Sequence, residues 1–175
     1  IIMEACAVSP EGVVSNHQAR IDDDRFIEGL HKIAAVMKSE GSVPAIQIHH
    51  GGRQTSIKVI KRKPLAPSAI PCPTIRGEVE PLTTEGIHDL VQKFGDAAER
   101  TVQAGFELVE IHGAHGYLIN QFLSKVSNAR EDEYGGDIVG RSRFAIEIVE
   151  TIRQRLGAHF PLSFKISAQE FLPDG

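Results

Sequence analysis

Hydrophobic positions along the chain alternate between two periods. Ile1 to Val8 is an apolar run of strand length, and beyond it Phe26, Ile27, Leu30, Ile33, Ala34 and Met37 recur at the three-and-four spacing of one helix face. Asp22, Asp23 and Asp24 precede that face as candidate N-caps, and Gly41 closes it. Pro44 to His49 reads as a second strand. After a long proline-containing loop, Lys61 to Pro81, Thr83 or Thr84 caps a second helix that turns Ile87, Leu90, Val91, Phe94, Ala97, Ala98, Thr101 and Val102 to one side and ends at Gly105. Leu108 to His112 predicts a third strand. Arg143 to Leu156 predicts a helix with Phe144, Ile148, Val149 and Ile152 inward, and Leu162 to Ser167 a fourth strand. The order is βαβαβαβ.

Strands separated by helices pair in parallel through right-handed crossovers, which leaves a doubly wound sheet or a (β/α)8 barrel. The strand faces decide. Gln47 and His49, Glu110 and His112, and Ser163 and Lys165 fall on one face; Ile46 and Ile48, Val109 and Ile111, and Phe164 and Ile166 fall on the other. A doubly wound sheet is covered on both sides and should be apolar on both. One apolar and one polar face fits a barrel whose interior opens at the C-terminal strand ends. The fold class expected is therefore α/β, a partial (β/α)8 TIM barrel of about four parallel strands with intervening helices. A whole barrel takes roughly 250 residues, so residues 1–175 are expected to form one unit, an internal part of a larger barrel.

Composition narrows the function classes. The 175 residues carry a net charge of −4, which gives no basic footprint for nucleic acid. The basic cluster from Lys58 to Lys63 falls in the long connection and reads as a solvated loop. Cys6 and Cys72 are far apart and unpaired in spacing, so neither a disulfide framework nor a zinc knuckle is indicated and a cytoplasmic setting is expected. The opening IIMEACAV is short, lacks a basic leader and contains Glu4, so it fits neither a signal peptide nor a membrane span. No strand is followed by the Gly-x-Gly-x-x-Gly dinucleotide fingerprint.

Candidate chemistry is concentrated in EIHGAHGYLINQFLSKVSNAREDEYGG, residues 110–136, which runs from a strand into a polar loop marked by glycines. His112 ends its strand on the polar face, and His115 follows after Gly113 and Ala114, whose small size lets the backbone approach a ligand. As metal ligands the two would need further partners, such as His49 or His50, and no carboxylate stands beside them in a ligand pattern. As neutral donors they would hold a substrate oxygen without a metal, with Tyr117 placed to deliver a proton. A pair bracing a tight turn is the structural alternative. Gln47 in AIQIHHGGRQ faces inward and needs a partner, either a side chain or the amide edge of a flat heteroaromatic ring. Lys165 needs an anion, which Glu110 on the next strand or a cofactor would supply.

EIHGAHGYLINQFLS, the following SNAREDEYGGD and RSRF, and the upstream AIQIHHGGR and LAPSAIP together resemble the Old Yellow Enzyme family of FMN-dependent oxidoreductases. The His-x-x-His-x-Tyr form is similar to its thermophilic-type bacterial branch. The resemblance runs from EACAVSPEG to SAQEFLPDG. It implies a (β/α)8 barrel with FMN across its mouth, NAD(P)H as reductant, and a small-molecule α,β-unsaturated carbonyl or nitro substrate that takes hydride from flavin N5. It further implies that His112 and His115 bind the substrate oxygen, that Tyr117 donates the proton, and that Ala5, Gln47 and Lys165 lie against the flavin. Lys165 stands where the family commonly has Arg, keeping the charge and losing the planar fork. Arg130, Asp132, Gly135 and Gly136 match a loop motif of structural role, in which Ser124 and Asn128 are expected to satisfy turn backbone.

The chain departs from the family where Val139-Gly140-Arg141 replaces Glu-Asn-Arg and where Gly86 enters LTTEG. Both glycines are expected to weaken a helix start. Two other readings compete: a metal-dependent hydrolase built on His49, His50, His112 and His115, and a non-catalytic half-barrel that self-associates across open sheet edges. The second carries the expectation of a homo-oligomer.

Overall fold

A computed structural model describes residues 1–171. The chain runs through β1 (Ile2–Ala7), α1 (Ile27–Ser39), β2 (Ala45–His49), α2 (Ile57–Ile60), β3 (Leu65–Ala66), β4 (Glu80–Pro81), α3 (Thr84–Gln103), β5 (Leu108–Gly113), α4 (Leu118–Leu123), α5 (Ile138–Leu156) and β6 (Leu162–Ile166). Four strands form one parallel sheet in the order β1-β2-β5-β6. The helices α1, α3 and α5 connect neighbouring strands, as the alternation of periods requires.

The long helices pack against the apolar sheet face. Ile46 and Ile48 of β2 and Val109 and Ile111 of β5 are fully buried in one cluster with Leu30, Ile87, Leu90, Phe94, Phe144 and Ile148. Phe144 stacks at 4.5 Å on Phe122 of α4 and lies edge-on to Phe94 of α3 at 6.4 Å, which ties the three helices together. Thr83 accepts from Gly86 N at 3.1 Å to cap α3.

Across the other face the strands are in lateral register. Gln47 pairs with Glu110, and Glu110 with Ser163, making one polar layer. One step toward the strand ends, His112 is level with Lys165, and His49 is level with Ala7. Polar residues therefore share one face because parallel pairing carries each strand's period of two across the sheet.

Several local expectations need correction. The connection from Lys61 to Pro81 is not a plain loop: its ends pair as the short parallel ladder of β3 and β4, with ion pairs from Arg62 to Glu80 and Lys63 to Glu78. The basic cluster begins in the single helical turn of α2. Residues 118–123, read as the start of a polar loop, are α4, whose Leu118, Ile119 and Phe122 are buried. Helix α5 starts at Ile138 rather than Arg143, and Gly140 does not weaken it. Asp137 accepts from Gly140 N at 3.0 Å, and the α-carbon of Gly140 lies so close to the Gly135 carbonyl that no Cβ fits. Arg141, in the same turn, is buried, its Nε donating to Leu123 O at 2.8 Å and its Nη1 to Gly136 O.

Candidate active site

His112, His115 and Tyr117 leave the end of β5 together. The strand passes directly against the Phe164 ring at Gly113, where a Cβ would overlap that ring. Gly113 is thus small because β6 is close, and not because a ligand is. His115 takes a left-handed φ of 58°, uncommon for a residue with a side chain. Its N–H donates to Ser167 Oγ at 3.0 Å, and its carbonyl accepts from Gln54 Nε2. These anchors present its ring, exposed, edge-on to His112 at 5.0 Å.

His112 is buried, and its Nδ1 accepts from Ala114 N at 3.3 Å, which places the neutral ring's proton on Nε2. Burial, then the neighbouring His115 and Lys165, hold its pKa down at about 4. The ring is therefore a neutral N–H donor at neutral pH. Tyr117 caps α4 with extended backbone and lies edge-on to His112 at 4.9 Å. Among the described residues no side-chain or backbone group bonds its hydroxyl.

Gln47 donates from Nε2 to Glu110 Oε1 at 2.6 Å, and Ser163 Oγ donates to Glu110 Oε2 at 3.3 Å. The partner that a buried Gln47 requires is thus Glu110. The Lys165 to Glu110 pair left open by the sequence is not formed. Lys165 is exposed and makes no ion pair among the described residues. Its ammonium projects from the polar sheet face beside His112, and Ala5 leaves that face small at β1.

His49 and His50 do not join the pair as a ligand set. His50 turns to the other side, its Nδ1 accepting from Gly52 N at 3.0 Å. His49 stays at the site, edge-on to Tyr117 at 5.0 Å and 6.1 Å from His112, with its Nε2 against Gln18 Nε2. Gln18 and His49 are the site neighbours that motif reading missed or misassigned. Gln18 lies in an irregular segment with no periodic signal, and His49 was weighed only as a metal ligand. Among the described residues no group of three His, Cys, Asp or Glu side chains could hold a metal ion.

The loop after the site is structural, as expected. Asn128 Nδ2 donates to Phe122 O and Tyr134 O, and Ser124 Oγ accepts from Val126 N. Arg130 Nη1 donates to Pro67 O at 2.8 Å and Leu82 O at 2.6 Å while its other arm pairs with Asp132.

An imidazole pair, a phenol, an amide and an ammonium share the polar face of a parallel sheet connected by helices, a site of the α/β-barrel class. Comparison with known proteins agrees. Residues 1–175 match the NADH:flavin oxidoreductase / NADH oxidase family. The chain is 42% identical to an NADH oxidase of Thermoanaerobacter brockii over 177 residues, covering all of this chain and 27% of that protein. It is also 42% identical to an NADPH dehydrogenase of Geobacillus thermodenitrificans (strain NG80-2) over 175 residues, covering all of this chain and 50% of that protein. Among solved structures, the old yellow enzyme homologue from Zymomonas mobilis superposes with a TM-score of 0.88 at 30% identity, over 94% of this chain and 49% of that one. Histamine dehydrogenase from Rhizobium sp. 4-9 gives 0.89 at 33% identity, over 95% and 26%. The chain belongs to the NADH:flavin oxidoreductase / NADH oxidase family, and it spans half or less of the length of these relatives. Its fold is a partial TIM barrel. No helix of the described residues is long and apolar enough to cross a membrane.

Proposed function

We propose that residues 1–175 are one unit of an FMN-dependent barrel that reduces activated C=C bonds of α,β-unsaturated carbonyl or nitro compounds with NAD(P)H. The observation that carries this reading is the pairing of two donor sets on one sheet face. Gln47 and Lys165 offer an amide and an uncommitted ammonium to the polar edge of a flat ring, and His112, His115 and Tyr117 stand beyond them at the strand ends. The residues fit the cofactor: a small Ala5, an amide and a cation are the chemistry that the pyrimidine side of FMN requires.

When bound, FMN supplies hydride exchange, first with NAD(P)H and then with the alkene. Gln47 orients the ring edge, its amide fixed in turn by Glu110. Lys165 places positive charge where a reduced ring gathers negative charge. His112 donates its Nε2–H to the substrate oxygen, and His115, held by Ser167 and Gln54, presents a second donor. Polarising that oxygen draws electron density from the β-carbon and opens it to hydride. Tyr117 then gives its phenolic proton to the α-carbon.

The test is anaerobic stopped-flow on the complete protein carrying this sequence, following flavin absorbance through reduction by NAD(P)H and reoxidation by an enone. Both half-reactions are expected; a reduced flavin that no enone or nitroalkene reoxidises refutes the reading. A homo-oligomer in the cytoplasm goes with it. Light scattering on the complete protein tests the association.

A further inference from the structure

The Gln18 amide is fixed at both ends. Its Oε1 accepts from Val14 N at 2.8 Å and its Nε2 donates to Ala5 O at 2.8 Å, so the group facing His49 is the NH2 donor. His49 Nε2 must therefore accept, and a neutral ring then carries its proton on Nδ1. The ring is neutral because burial, reinforced by His50 and His112, depresses its pKa to about 3. One consequence is unusual. The Nδ1–H is buried and has no hydrogen-bond partner, one of four such side-chain atoms among the described residues. A buried donor without an acceptor costs free energy and calls for an explanation.

The explanation lies in what the ring touches. His49 is 1% exposed and meets Tyr117 at 5.0 Å with an interplanar angle of 81°; His112 meets the same phenol ring at 4.9 Å and 86°. Tyr117 is held edge-on by two imidazoles, while its hydroxyl is bonded by nothing in the described chain. Ring contacts, and not a hydrogen bond, thus set the direction of the phenol. His112 Nδ1 is already engaged by Ala114 N, whereas the His49 Nδ1–H has no hydrogen-bond partner and its ring stands edge-to-face with the Tyr117 ring.

We infer that His49 is a positioning residue for Tyr117, its ring plane and tautomer set by Gln18, so that the segment Val14–Gln18 and the Ala5 carbonyl govern where the phenol points. The inference rests on the proposed function only for what Tyr117 does in turnover. Its geometric content is independent of it.

These 175 residues hold two tyrosines, Tyr117 and the core residue Tyr134, so 3-fluorotyrosine incorporated site-specifically at each position of the complete protein gives one reporter at the site and one on the fold. His49→Ala should move the Tyr117 fluorine resonance toward that of free 3-fluorotyrosine and leave Tyr134 in place. Gln18→Leu, which keeps the His49 ring and removes its anchor, should give a smaller shift in the same direction. If His49→Ala also displaces Tyr134, the fold has been lost and Gln18→Leu decides alone. In the flavin-loaded complete protein, His49→Ala should lower kcat with enone about ten- to a hundredfold while KM and flavin reduction change little. A Tyr117 resonance unmoved by Gln18→Leu, and by His49→Ala with Tyr134 intact, overturns the inference. A shifted resonance in a protein that reduces no alkene keeps it and overturns the proposed function instead.

Discussion

The Gln47 amide nitrogen donates to Glu110 Oε1 at 2.6 Å, joining neighbouring parallel strands by a side-chain bond on the inner sheet face. The bond fixes which end of the amide points onward, so in the proposed function Glu110 would act on the flavin edge through Gln47. Glu110→Ala should cost about 1–3 kcal/mol of stability by leaving the buried amide unpaired. It should also weaken FMN binding in the complete protein. Urea denaturation and flavin titration check the two effects. Unchanged flavin affinity with lowered stability would restrict Glu110 to a structural part.

Acid should destabilise this chain before its carboxylates titrate. His49 and His50 are buried, with pKa values held at about 3 and 4 chiefly by burial. In the unfolded chain both return to about 6.5. Between those values the unfolded state binds more protons, so stability is full above about pH 6.5 and falls as pH drops toward 4. The slope is about 1.4 kcal/mol per pH unit for each histidine in that window. Urea midpoints measured from about pH 7 to pH 5 should fall; a flat or rising profile contradicts the buried neutral assignment.

Gly140→Ala should destabilise by about 1–3 kcal/mol, because the added methyl meets the Gly135 carbonyl. Helix propensity alone predicts the opposite sign, by about 0.5–1 kcal/mol. Gly86→Ala is the control: its Cβ would lie 3.2 Å from a flexible Leu82 methyl and should cost little. Parallel denaturation of the two variants separates packing from propensity. A stabilised Gly140→Ala would mean that α5 starts elsewhere.

At the site, Tyr117→Phe should slow reoxidation by enone about 10²- to 10⁴-fold and leave reduction by NAD(P)H nearly unchanged. His112→Ala should weaken binding of a phenol that mimics the substrate oxygen, read from the flavin spectrum. Equal loss in both half-reactions, or unaltered phenol affinity, would remove these residues from the roles proposed.

Periodicity made the sheet legible. The two faces of β2, β5 and β6 follow from alternate residues, and their lateral register follows from parallel pairing. Helix α3 was readable because Thr83, the apolar face and Gly105 mark it fully. The start of α5 was not, since Gly140 lowers helix propensity, and the close approach that requires it is a tertiary fact. Helix α4 was hidden by its length: six residues carry too little period to register. Within the site, His112, His115 and Tyr117 were found by spacing within one segment. The bond from Gln47 to Glu110, the anchor of His49 on Gln18 and the exposure of Lys165 depend on which strands and loops meet, which local pattern does not encode.

The most direct test of the central claim, that the polar face of this sheet receives the flavin, is FMN titration of the complete protein and its Gln47→Leu and Lys165→Met variants by visible absorbance. The account predicts stoichiometric binding with a shifted flavin spectrum, weakened about tenfold or more by each substitution. FMN affinity and spectrum unchanged in both variants would contradict it and place the flavin away from this face.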